Sequence, residues 1–102
     1  MDSEYLLKVL KPFLDGDGRL VMYPAKYKMK VFSWFYLASK LEQGRRYTEK
    51  EINQVLNDWH TFDDWAMLRR ELYDSRLVDR EPDCSWYWLE ETPPALASFG
   101  LE

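Results

Sequence analysis

A chain with one histidine and one cysteine has few routes to covalent or metal chemistry. His60 is followed by Asp63 and Asp64, which amount to half a metal site; a soft-metal site calls for more His or Cys. Cys84 lies outside any nucleophile motif. Asp15-Gly16-Asp17-Gly18 opens like a calcium loop but departs from one at once, with Arg19 at the fifth position and Leu20 where the invariant glycine belongs. Gly16 and Gly18 also lack the Lys-Ser/Thr of a phosphate loop. No catalytic residue, metal ligand set or cofactor is therefore expected. His60 reads as a turn residue bonded to backbone, and the chain is not read as an enzyme.

Cations and aromatics offer more. The net charge of −4 is unevenly spread. Residues 19–50 hold eight Lys/Arg against two acids, whereas residues 51–102 hold four against twelve. Any basic surface must come largely from the middle of the chain. The residues placed for phosphate contact are Lys26, Lys28, Lys30, Arg45 and Arg46, with Arg70 and Arg76 as helpers. Arg69 falls at the margin of a buried stripe, where it is expected to bond inside the domain. The competing site is aromatic: Trp86, Tyr87 and Trp88 are consecutive, and strand alternation turns either Tyr87 or the Trp86/Trp88 pair outward, towards a protein partner or a second copy.

These residues need elements to position them. Leu6, Val9, Leu10 and Phe13 mark a first helix, capped by Asp2 or Ser3. Residues 20–23 read as a short extended piece stopped by Pro24. Residues 25–41 form a helix that is apolar nearly all round, hence buried from two sides, with Gly44 as its left-handed stop. Thr48-x-x-Glu51 is a capping box, Tyr47 and Ile52 are placed as a hydrophobic staple, and Ile52, Val55, Leu56 and Trp59 repeat at helical spacing. After the His60-Thr61-Phe62 turn, Asp63 can cap a second helix over 63–75 with Trp65, Leu68 and Leu72 inward. Residues 78–81 and 86–89 read as two strands joined by Pro82-Asp83-Cys84-Ser85. Residues 90–102 form a tail.

Helix, turn, helix and β-ribbon in that order predict a winged helix-turn-helix-like fold: mainly α, with a small antiparallel β-sheet, in one domain over 1–102. No apolar run reaches the roughly 18 residues of a membrane span. The N-terminus has acids and no basic leader, so a cytoplasmic protein is expected.

Four ordered motifs carry a family resemblance. They are Gly18-Arg19-Leu20 with Tyr23-Pro24-x-Lys26; Tyr47-x-Glu49-x-Glu51-x-Asn53; Leu68-Arg69-Arg70-Glu71-Leu72; and Arg80 ahead of Tyr87-Trp88. Together, over about residues 13–89, they resemble the bacterial family known as domain of unknown function 2087. The resemblance implies a small α-helical domain of winged-helix character. In some members it implies attachment to a separate helix-turn-helix repressor module, which this chain does not show, so it is expected to act alone or through a partner. It implies no established activity. The function expected is a transcription-related domain that binds double-stranded DNA; the alternative is a protein-interaction or regulatory accessory domain, able to homodimerise, without DNA binding of its own. No membrane partner is expected.

Overall fold

The computed structural model describes residues 3–101. Helix α1 (Ser3–Leu10) runs into a 3-10 turn, Lys11–Phe13, which accommodates Pro12 at its start. Ser3 is the first helical residue, and the cap expected of Asp2 lies outside the described residues. Helix α2 (Tyr27–Ala38) buries Val31 to Trp34 and Tyr36 to Ala38. Phe32 and Tyr36 join Leu6 and Leu10 of α1 in one cluster, whereas Val31, Trp34, Leu37 and Ala38 face a larger cluster built by the rest of the chain. The helix is covered on both sides, as its lack of a polar face requires. It is shorter than its apolar pattern suggests. It stops at Ala38, and Gly44, left-handed at φ +84°, serves the later turn instead.

Helix α3 (Glu49–Asp58) starts on the capping box: Glu51 N–H donates to Thr48 Oγ1 at 3.1 Å, and Thr48 N–H donates to Glu51 Oε1 at 2.8 Å. Ile52 and Leu56 are fully buried. Helix α4 (Trp65–Asp74) packs on α3 through Leu68 and Leu72. Two expectations at its start need correction. Asp63 does not cap it; Asp63 adopts a left-handed backbone (φ +54°), and the cap position falls to Asp64, whose side chain makes no capping bond. Trp65 is only half-buried, because it sits at the first turn, beyond the Leu68/Leu72 contact.

Strands β1 (Val78–Arg80) and β2 (Tyr87–Leu89) form an antiparallel ribbon in which Val78 faces Leu89, Asp79 faces Trp88 and Arg80 faces Tyr87. Each strand is one residue shorter than its sequence pattern. The hairpin turn is closed by Cys84 N–H donating to Glu81 C=O at 2.9 Å, with Cys84 left-handed at φ +63°. Tyr47 pairs with Tyr87 on the other edge of β2 through one isolated antiparallel bridge beside the two-stranded sheet. The tail docks: residues Leu96–Phe99 form a 3-10 turn, and Phe99 meets Trp34 and Phe35 edge-on at 6.0 and 5.8 Å. The result is a mainly helical domain with a small antiparallel sheet. No helix among the described residues is long and apolar enough to cross a membrane.

The 15–20 turn is closed by its own side chain. Asp15 Oδ1 accepts from the N–H groups of Asp17 and Arg19, and Asp15 Oδ2 pairs with Arg19 Nε at 2.9 Å. Gly18 sits at φ +79°, its carbonyl accepts the Tyr36 hydroxyl, and an added Cβ would lie 3.0 Å from that hydroxyl. Gly18→Ala is therefore expected to destabilise the fold by roughly 1–3 kcal/mol. Gly16→Ala, with open space around it, should stay within about 0.5 kcal/mol of the parent in urea denaturation.

Bonding to the Thr48 N–H, then to the Thr48 side chain, holds the Glu51 carboxyl below its ordinary value. Its contribution is complete above the unfolded value, about 4.3, and is lost as pH falls through the folded one. Glu51→Gln should flatten the fall in denaturation midpoint between about pH 5 and pH 3. An unaltered fall would contradict this role for the capping box.

Candidate functional site

The interhelix turn is pinned by its histidine. His60 Nδ1 lies 2.6 Å from Leu56 C=O at the end of α3, and Asp64 N–H donates to His60 Nε2 at 2.9 Å at the start of α4. Nδ1–H donating and Nε2 accepting describe a neutral ring whose two nitrogens serve the ends of two helices. The ring is buried, with Phe62 edge-on at 4.7 Å. Its role is positional, as read from the sequence, and it relieves Asp63 of the capping task.

Arg69 ties the two helices together. Its Nη1 donates to Asn53 Oδ1 at 2.6 Å and lies 3.1 Å from Glu49 Oε1, so one guanidinium joins α4 to two residues of α3. This is the internal bond expected from its angular position. The partners themselves become visible only once the helices pack.

Tyr87 and Arg80 face each other across the ribbon and turn towards α4. Tyr87 is 1% exposed, so alternation places Trp88 on the outer face and leaves Trp86, 39% exposed, beside the hairpin. The Arg80 guanidinium stacks on the Tyr73 ring at 4.1 Å, and its Nη1 donates to Cys84 Sγ at 3.1 Å. Polar contact with the Tyr73 phenol, then with that of Tyr87, raises its pKa above the ordinary value, so it stays cationic. Burial, first, and contact with Cys84, second, push the Tyr87 phenol up, which keeps it a neutral donor.

Between α4 and the ribbon these residues leave a cleft of about 240 Å³. Helix α4 contributes Ala66, Arg69, Arg70, Tyr73 and Asp74, and the ribbon contributes Arg80 and Tyr87. Three guanidiniums and two phenols line one small concavity whose only carboxylate among the described residues is Asp74. Arg70 and Asp74, spaced for an i, i+4 pair, form no ion pair among the described residues.

The other cations are dispersed. Lys26 precedes α2 and is exposed; Lys28 lies over Phe32 and Lys30 over Tyr23, at 5.8 and 5.5 Å. Arg45 is 3.7 Å from Glu42 and 3.9 Å from Glu51. Arg46 pairs with Glu81 at 2.9 Å and stacks on Trp88 at 4.4 Å. Arg76 is exposed at the end of α4, left-handed at φ +66°. Of the seven cations marked in the sequence, Arg70 alone lines the cleft. Arg80, which sequence reasoning used only as a motif residue, is its central cation. Strand alternation with Val78 inward would have predicted that it points the same way.

Helices paired across a pinned turn, a short ribbon behind them and a cationic cleft at the junction define a small mainly helical domain. The chain belongs to the bacterial family described as uncharacterized protein conserved in bacteria, domain of unknown function 2087, whose model matches residues 19–89. No curated protein and no solved structure matches it.

Arg69→Ala is expected to destabilise the domain by about 1–3 kcal/mol. A double-mutant cycle with Asn53→Ala should return a coupling of about 0.5 kcal/mol or more in denaturant unfolding. A coupling of zero would mean that the bond does not join the helices energetically.

Proposed function

We propose that the chain is a winged-helix nucleic-acid-binding domain with a transcription-related role, which grips the phosphate backbone through α4 and the ribbon. In this reading α3 and α4 are the helix-turn-helix pair, and the Glu81–Trp86 hairpin is the wing. The two-stranded ribbon, extended by the single Tyr47–Tyr87 bridge, supports that reading. The observation that carries the reading is the convergence of Arg69, Arg70 and Arg80 on the concavity between the second helix and the ribbon, where a backbone phosphate would lie.

The outward face of α4 favours phosphate contact over base readout. Ala66, Arg70, Tyr73 and Asp74 offer one strong base-edge donor, Arg70, so sequence discrimination should be shallow. Of the hairpin's acids, Glu81 is paired with Arg46, whereas Asp83, which accepts the N–H and hydroxyl of Ser85, keeps its charge.

A second reading has its own observation. Exposed Trp86 beside half-buried Trp88, with Arg46 stacked on the latter, gives the ribbon's outer face the aromatic and Arg content of a protein-binding surface. That face lies opposite the cleft, so the two readings answer to different substitutions.

Arg70 and Arg80, with Arg69 already paired to Glu49, would neutralise about two phosphates, implying a salt slope near −1.8 and roughly a 12-fold loss of duplex affinity between 50 and 200 mM salt. Fluorescence anisotropy with mixed-sequence duplexes should show that loss, and Arg70→Glu should weaken binding to all of them and flatten the slope by about 1. No binding at 50 mM salt, or binding indifferent to Arg70→Glu, would overturn the reading and leave the aromatic face as the functional surface.

A further inference from the structure

We propose that the cleft between α4 and the ribbon is a seat for a single phosphoryl group, held by Arg80 and Arg70. The inference rests on the reading above and names the chemistry that the site selects.

It starts from an imbalance of charge. Arg80 points to the inner face of a ribbon whose other inward residues are Val78, Tyr87 and Leu89. A partly buried guanidinium in such a row ordinarily has a carboxylate, because an uncompensated charge away from water is costly. Arg69 follows that rule through Glu49. Arg80 does not: no acidic oxygen lies within 4 Å of its guanidinium among the described residues, Asp79 Oδ1 accepting from the Arg80 backbone N–H instead, and its phenol contacts carry no counter-charge. Its Nη1 donates to a thiol sulfur, a weak acceptor, its Nε is buried without a hydrogen-bond partner, and its face is taken by Tyr73. The side chain is fixed in place, then, and lines the cleft while no described carboxylate supplies its counter-charge.

The surroundings specify the class of anion. Arg70 lines the same cleft, is exposed and forms no ion pair among the described residues. A carboxylate would neutralise one of these two cations. A phosphoryl group has charge and oxygens for both forks at once, and Arg presents planar donors suited to it. The phenols of Tyr73 and Tyr87 add neutral donors on the walls. Asp74 at the rim opposes a highly charged polyanion and so favours one phosphoryl group over a chain of them.

Two sources share this chemistry: a backbone phosphodiester of nucleic acid and the phosphate of a small monoester. The test is NMR titration of the full chain at constant ionic strength, following the arginine Nε–H signals and the α4 amides. Inorganic phosphate is added first, then a DNA duplex, with chloride as the control. Saturable shifts of Arg80 and of Ala66–Asp74 are expected. Affinity should fall about ten-fold or more in Arg80→Gln, fall in Arg70→Gln, and return only in part in Arg80→Lys. Drift that does not saturate, or saturation unchanged in these variants, overturns the seat. Should Arg80→Gln fail to fold by circular dichroism, the exposed Arg70→Gln and the parent shifts decide. Phosphate saturation without duplex binding upholds the seat, assigns it to a small monoester and removes the nucleic-acid reading. Duplex binding that leaves the Arg80 signal and the phosphate affinity untouched overturns the seat and spares that reading.

Discussion

Tyr87 holds the ribbon to the helices, and the cleft exists because it does. Its N–H donates to Tyr47 C=O at 2.8 Å, and its C=O accepts from Tyr47 N–H at 2.7 Å. Its ring is buried among the residues of α2, α3 and α4. A two-stranded ribbon of three residues per strand has little stability of its own in water. Here one side chain and one pair of backbone bonds make it continuous with the residue that precedes the α3 capping box. The register that follows sets Arg80 opposite Tyr87 and aims it at α4.

The same economy governs the helix pair. Thr48 and Glu51 fix the start of α3, His60 joins its end to the start of α4, and Arg69 bridges their flanks to Asn53 and Glu49. Each of these polar side chains satisfies groups that helix ends or helix packing would otherwise leave without partners. Arg80 is the exception. Among the described residues its Nε is the one buried side-chain nitrogen or oxygen without a hydrogen-bond partner, and its guanidinium meets phenols and a thiol rather than a carboxylate.

Much of this was legible from the residues. The capping box, the Ile52/Leu56 and Leu68/Leu72 stripes and the burial of α2 on two sides follow from local pattern, because helical spacing is a property of neighbours in sequence. The failures cluster where local pattern competes with tertiary geometry. Asp63 looked like a cap, but the turn uses the His60 ring for that purpose and leaves Asp63 left-handed. Trp65 continued the apolar stripe yet lies at the edge of the helix contact. The cleft itself was invisible in outline, since Arg70 and Arg80 are brought together by ribbon register and helix docking, which no spacing rule encodes. Its strongest clue was the one polar residue on the inward side of β1.

Native-state hydrogen exchange at Tyr47 and Tyr87 tests the central claim most directly. If the ribbon is one cooperative unit with the helices, both amides exchange only through global unfolding, with the same free energy as the Leu68 and Leu72 amides of α4. Exchange at Tyr87 several kcal/mol easier than at Leu72 would show a ribbon that opens by itself, and a cleft that is not preformed.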